Sequence, residues 1–363
     1  MATTTAPAKL ILCGEHAVVY GRPAIAIPLG DIRASAAVVP GLPGTGLRLL
    51  APDLGEAWAA ADTPANPLSE LALSVATRLG LAGADLTITL GSAIPIASGM
   101  GSGAAIGTAL VRALASHAGR ALPPADVAAL VYASEQRFHG TPSGIDNTVV
   151  AYERAIWYVR AREAGQGDKG TRGQGDKGTR GRGDKGTRGQ GAGGTRGEGD
   201  KGRPATEVIS KPTIEPLTVG APLTLVVGDT GVRSATKLPV GAVRAAWQAD
   251  PATYEALFDA VGALVTQARA ALANGEAALL GQLLDANQTL LERLGVSSPE
   301  LERLVGAARG AGALGAKLSG AGWGGVMLAL VTDATRADVE AALWQAGAAR
   351  VLATTVSGAT DPV

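Results

Sequence analysis

Forty residues of this chain have nothing to bury, so the remainder must fold without them. From Gly165 to Pro204 an eight-residue unit recurs as GQGDKGTR, GQGDKGTR, GRGDKGTR, GQGAGGTR and GEGDKGRP. The stretch holds no Leu, Ile, Val or aromatic residue. It therefore cannot contribute to a core. Glycine is too frequent for a helix or a lasting strand, and its spacing is not the strict triplet of collagen. A disordered surface loop is expected, an insertion spanning residues 163–204. Its ten basic and five acidic side chains leave a local charge of +5, so a weak tether for polyanions is the alternative reading. The flanks say where it is inserted. Ala155–Val159 reads as a strand and Thr213–Leu217 as the returning chain, so the repeat should sit in a hairpin.

Without the repeat about 320 residues remain, enough for two domains at roughly 100–200 residues each. The expected boundary divides residues 1–214 from 215–363. Hydrophobic residues make up 46% of the chain and aromatics only 3%, so Ala, Val, Leu and Ile must build the core. Lys plus Arg balance Asp plus Glu at 32 each, which lacks the basic excess of a nucleic-acid binder. The single cysteine, Cys13, cannot form a disulfide within one chain and fits a reducing compartment. The first residues lack a charged region before a long apolar run, and no uninterrupted apolar run reaches about 18 residues. The expectation is a cytoplasmic protein, with no nucleic acid and no membrane among its partners.

Hydrophobic periodicity gives a mixed order of elements. Strands are expected from Lys9, at Ala24–Pro28 and Ile32–Val39, over Asp85–Leu90, and over Leu223–Gly228. Short pieces at Ala316–Ser319 and Gly325–Val331 surround a glycine turn, and Ala349–Val356 is the last strand. Helices are expected at Leu68–Leu79, with Asn66 or Ser69 at the start and Gly80 at the end, then at Ala104–His117 and within Pro124–Phe138. Further helices are Thr253–Ala273, Glu276–Leu294, Pro299–Ala308 and Arg336–Ala346. The class is α+β.

Three glycine-rich places could carry chemistry. Pro95-Ile-Ala-Ser-Gly-Met-Gly-Ser-Gly-Ala104 follows a strand and opens a helix. There the backbone can approach a ligand closely, and free amides at a helix N-terminus suit phosphate. It lacks the Gly-Lys-Ser/Thr ending of a Walker loop, and a purely structural turn has the same look. Lys317-Leu-Ser-Gly-Ala-Gly-Trp-Gly-Gly-Val326 is a second such place, also readable as a tight turn. His139-Gly-Thr-Pro-Ser-Gly-Ile-Asp-Asn147 is the third; by itself it is a turn in which Asp146 could cap local backbone. Near the start, Lys9 precedes Gly14-Glu15-His16, a pair equally at home in catalysis, substrate binding or a loop. Glu135 lies near a helix end, where most carboxylates are simply solvated.

Together these stretches resemble the GHMP kinases, whose members include galactokinase, homoserine kinase, mevalonate kinase and phosphomevalonate kinase. The three family motifs occur in the family's order: Lys9-Leu-Ile-Leu-Cys-Gly-Glu-His16, Pro95 to Ala105, and Lys317 to Val326. With the intervening segments the likeness spans nearly the whole chain outside the repeat. Gly14-Glu-His-Ala-Val-Val-Tyr-Gly21 is similar to the form found in mevalonate kinases, as are Glu135 to Asn147 and Leu225 to Thr236.

The resemblance implies a two-domain GHMP fold, an N-terminal domain like ribosomal protein S5 domain 2 and a C-terminal ferredoxin-like (split βαβ) domain. It implies ATP and Mg²⁺ as cofactors, mevalonate as the small-molecule substrate, and phosphorylation at C5 in isoprenoid precursor synthesis. It also carries a homodimer as an expectation. Asp146 would take the proton from the hydroxyl, with Lys9 beside it steadying the γ-phosphate. Pro95, Ser98, Gly99, Met100, Gly101, Ser102, Gly103 and Ala104 would hold the nucleotide's phosphates. Glu15, His16 and Thr236 would contact the substrate. Ser319, Gly320, Ala321 and Gly322 would shape the active-site floor, and Glu135 and Ser102 would bind the metal.

Two positions depart from the family pattern. Gly103 stands where a second serine is usual, and Trp323 interrupts a run that is commonly all glycine. Three alternatives stay open. One is phosphomevalonate kinase, which would want extra basic residues such as Arg233 and Lys237. The others are a mevalonate 3-kinase and a non-catalytic ATP-binding regulator.

Overall fold

A computed structural model describes residues 2–95, 98–139, 143–160 and 212–357. The repeat lies outside the described residues, as do parts of the first and third glycine-rich places. Strands β1 (Ala2–Cys13) and β2 (Ala24–Pro40) pair antiparallel along most of their length. The two strands expected within 24–39 are one. The gap read between them is a bulge at which the partner of β1 jumps from Arg33, opposite Pro7, to Leu29, opposite Ala8. Proline supplies no N–H to the ladder, so the interruption at Pro7 costs little.

Next come β3 (Leu47–Ala51), β4 (Glu56–Ala59), helix α1 (Pro67–Leu79) and β5 (Leu86–Ser92). Neither β3 nor β4 was expected; each is short and lacks a strong alternation. Asn66 caps α1 by accepting from the Leu68 and Ser69 amides, and Gly80 ends it at φ 79°. Helices α2 (Ser102–His117), α3 (Pro124–His139) and α4 (Ile145–Tyr152) precede the hairpin of β6 (Ile156–Val159) and β7 (Thr213–Pro216). Val159 pairs with Thr213, so the two sides of the repeat do meet as an antiparallel hairpin. The sheet order is β4-β3-β5-β2-β6-β7, with β1 also on β2 and only β3–β5 parallel. Alanine-rich α2 packs on β1 and β2, because small side chains let its axis come close.

The rest forms β8 (Leu223–Asp229), α5 (Lys237–Ala249), α6 (Pro251–Asn274), α7 (Ala277–Arg293) and α8 (Pro299–Gly310). These are followed by β9 (Gly315–Ser319), β10 (Val326–Val331), α9 (Arg336–Gln345) and β11 (Arg350–Val356). Their sheet is fully antiparallel in the order β11-β8-β10-β9, the split βαβ arrangement. Every residue of β9 and β10 is buried; β10 is accordingly an unbroken apolar run, whereas β9 carries the buried polar residues Lys317 and Ser319. Helix α6 is long and apolar enough to cross a membrane by length and composition; half of that window is buried, against α7 and α5 among others. The core is aliphatic as composition required: Phe258 and Tyr158 are its buried aromatics among the described residues. Residues Met1–Arg160 and Pro212–Val363 form one contact unit.

Candidate active site

Strand β1 brings Lys9 into the interior, where it is 2% exposed. Its amide donates to the Met100 carbonyl at 3.0 Å, which ties the first glycine-rich loop to the strand. Gly101 then lies on the lysine stem. It has φ 75°, and a Cβ there would stand 2.8 Å from Lys9 Cγ, so only glycine fits. Gly101 caps α2, and Ser102 is the first helical residue, half-buried at the amide-rich end. Gly103 is exposed, with nothing within 4 Å of an added Cβ.

Asp146 sits in the first turn of α4, behind Gly144 at φ 85°. The sequence read this segment as a turn; it is a helix start. Lys9 Nζ reaches Asp146 Oδ1 at 2.8 Å, and Asp146 is 36% exposed while the lysine is closed off. Glu135, near the end of α3, feels both. Burial first, then the Asp146 charge, push its carboxyl up to about 8 despite the Lys9 ammonium. The phosphate loop, a base candidate with its lysine, and a carboxyl short of positive charge are thus brought together. Among the described residues no group of three or more His, Cys, Asp or Glu gathers as a metal cluster. Mg²⁺ characteristically uses one or two carboxylates plus substrate phosphates, and Glu135 fits that donor set.

The third motif closes on the first two. Ser319 Oγ accepts from the Ile11 amide and donates to the Ile11 carbonyl, both at 3.0 Å, pinning β9 to β1. A Cβ on Gly99 would meet the Ser319 carbonyl at 3.5 Å, and one on Gly325 the Ser98 carbonyl at 2.9 Å. Ser98 itself is buried and donates to the Pro95 carbonyl. Gly320 and Gly322 have φ 101° and 86°; a Cβ on Gly322 would collide with the Val296 carbonyl. Trp323 takes φ 56° without being glycine, held by its indole N–H on the Gly295 carbonyl at 2.8 Å.

Glu15 is 1% exposed and bonds Lys317, which is fully buried. Burial raises the Glu15 carboxyl and Lys317 opposes the shift. His16 is buried, and its Nε2 donates to the Ala321 carbonyl at 2.9 Å. Burial lowers its imidazole to about 4, so the ring is neutral. His16 has φ 59° and ψ −51°, a backbone that costs of order 1–3 kcal/mol. Thr236 is exposed at the start of α5, and no hydrogen bond among the described residues links it to Lys9, Asp146, Glu15 or His16. No local pattern relates residues 302 positions apart, so the pairing of Glu15 with Lys317 could not be read before the fold was seen.

A cleft of about 500 Å³ opens where the end of β5 and the phosphate loop, at Pro95 and Ser98, face Asp229, Arg233 and Arg350. Asp229 is occupied by the Gly231 amide. The two guanidiniums have no ion-pair partner among the described residues, so the cleft wall carries positive charge.

The family model for the GHMP kinases N terminal domain matches residues 66–154, and that for the GHMP kinases C terminal region matches 268–350. The mevalonate kinase of Pyrococcus horikoshii is 32% identical over 369 residues, covering 94% of this chain and 92% of its own length. The crystal structure of L. major mevalonate kinase in complex with R-mevalonate has a TM-score of 0.74 and 28% identity, covering 99% of this chain and 96% of that one. Streptococcus pneumoniae phosphomevalonate kinase in complex with phosphomevalonate and AMPPNP has a TM-score of 0.72 at 16% identity, covering 97% and 100%. This last likeness is one of fold alone.

Proposed function

This chain belongs to the GHMP kinase family, and on that premise we propose that it transfers the γ-phosphoryl group of ATP to the C5 hydroxyl of mevalonate, giving 5-phosphomevalonate and ADP. The observation that carries the reading is the Lys9–Asp146 pair beside the N-terminus of α2. A half-exposed carboxylate stands next to a sequestered ammonium, at the mouth of a phosphate loop.

Phosphoryl transfer asks a protein for positioning and charge neutralisation more than for covalent chemistry. Asp146 accepts the hydroxyl proton as the substrate oxygen bonds to the γ-phosphorus and the β–γ bridging bond breaks, releasing ADP. Lys9 orients Asp146 through their ion pair and brings positive charge to the transferred group. Amides at Gly101, Ser102 and Gly103 hold phosphate oxygens at the helix terminus. Glu135 and Ser102 would hold Mg²⁺, which when bound neutralises phosphate charge; open space beside Gly103 leaves water as the replacement for the usual second hydroxyl. His16 and Thr236 are the proposed substrate contacts, and Ser319 to Gly322 form the floor. We retain the lobe boundary at 214/215, within β7, the last strand of the first sheet.

Arg233 and Arg350 at the cleft favour a second reading, in which the substrate already carries a phosphate. One experiment separates the two: ADP release with ATP and Mg²⁺ across mevalonate, phosphomevalonate, galactose and homoserine. Turnover with mevalonate is expected; turnover with phosphomevalonate alone would replace the first reading by the second. The absence of turnover with all four would favour a non-catalytic ATP binder.

A further inference from the structure

Lys317 has no room to meet a substrate, yet it is the most enclosed charge beside the site. It is fully buried, and its ammonium bonds the Glu15 carboxylate and the Leu318 carbonyl. Two ions taken out of water are a poor source of stability, because desolvation offsets their attraction. What the pair can supply is a single geometry. Glu15 sits between two residues whose backbones need holding. Gly14 has φ 104°, with an added Cβ only 2.5 Å from Ala24 Cα, and His16 has φ 59° without being glycine. Such conformations persist where the surroundings over-determine them.

The loop and the strand that leads into it are each fastened once more. His16 Nε2 donates to the Ala321 carbonyl, and Ser319, two residues after Lys317, grips Ile11 on β1. The carbonyl can only accept, so Nε2 carries the proton and Nδ1 is left as an acceptor. Nδ1 has no hydrogen bond among the described residues. An unprotonated ring nitrogen suits a substrate hydroxyl.

We propose that Lys317 is a positioning residue: acting through Glu15, it fixes the Gly14–His16 loop so that His16 presents Nδ1 to a hydroxyl of the substrate. This rests on the reading of His16 as a mevalonate contact. It gives Glu15 a role through Lys317 rather than on the substrate. The remaining Glu15 oxygen is buried and has no hydrogen-bond partner among the described residues, which marks how closely the loop is shut around the pair.

A double-mutant cycle tests it. Glu15→Gln with Lys317→Met removes both charges at once, so no lone ion is stranded, and His16→Ala removes the ring. Wild-type ADP release with mevalonate is measured first; its absence overturns the functional reading and takes this inference with it. With turnover present, the uncharged pair is expected to raise KM for mevalonate about tenfold or more, with KM for ATP changed less than about twofold. In the His16→Ala background the same pair should cost less than about threefold, since the ring it positions is gone. Additive losses, equal rises in both KM values, or a His16→Ala enzyme with unaltered KM for mevalonate would overturn the positioning role. So would failure of the uncharged pair to fold, which would make Glu15–Lys317 a structural requirement only.

Discussion

Lys9 Nζ lies 2.8 Å from Asp146 Oδ1, and the two residues differ sharply in access: 2% exposed for the lysine, 36% for the aspartate. The carboxylate is therefore the open member of the pair, with the enclosed ammonium beside it. Asp146→Asn keeps an acceptor for Lys9 while removing the base. Its kcat is expected to fall by about 10²–10⁴, with the thermal midpoint little changed. Near-normal kcat in steady-state assays would rule out Asp146 as the base.

Gly101 and Gly103 of the phosphate loop, with one residue between them, should respond in opposite ways. Gly101→Ala places a methyl 2.8 Å from Lys9 Cγ in a left-handed backbone. It should cost at least about 1–2 kcal/mol and raise KM for ATP. Gly103→Ser enters open space at ordinary φ. It should fold like the parent and lower the Mg²⁺ concentration needed for half-maximal rate. Thermal melts and Mg²⁺ titrations check both.

Glu135 is held protonated at neutral pH, its carboxyl pushed up to about 8 by burial and Asp146. A divalent cation would demand the ionised form. Binding of MgATP at pH 7 should therefore release close to one proton, read by calorimetry in buffers of different ionisation enthalpy. Glu135→Gln should abolish that release and weaken the Mg²⁺ dependence. Equal proton release in the variant would remove Glu135 from the metal's ligands.

His16 sets an acid limit on stability. Its folded value of about 4 lies below the ordinary 6.5. Stability from the neutral ring is thus complete above 6.5, and is lost as pH falls towards 4, where the unfolded chain binds a proton the native one does not. The shift corresponds to about 3 kcal/mol. Urea midpoints at pH 7 and 4.5 should differ less in His16→Gln than in the parent.

Deleting Gly165–Pro204 should leave kcat and the thermal midpoint within about twofold and a few degrees of the full chain. The flanking strands pair by themselves, with Val159 opposite Thr213. A large loss of turnover, or loss of a polyanion that the full chain retains, would give the repeat a function.

Much of the architecture was written locally. Asn66 and Gly80 bounded α1, the flanks of the repeat formed a hairpin, and the apolar runs of β8 and β10 became central strands. Short-range sterics, capping and hydrophobic period suffice for such elements, since each depends on near neighbours. Where those signals were weak, at β3, β4, α4 and α5, elements went unread; α5 buries only Pro239 and Val243, too little to leave a pattern. The sequence also determined the candidate chemistry, by setting Lys9, Glu135 and Asp146 among three glycine-rich stretches. It did not determine their relations. That Lys9 meets Asp146, that Glu135 titrates against both, and that Glu15 closes on Lys317 across 302 residues followed only once β1 lay between α2 and β9. Burial and distance shape charge interactions, and neither exists until the sheets have packed.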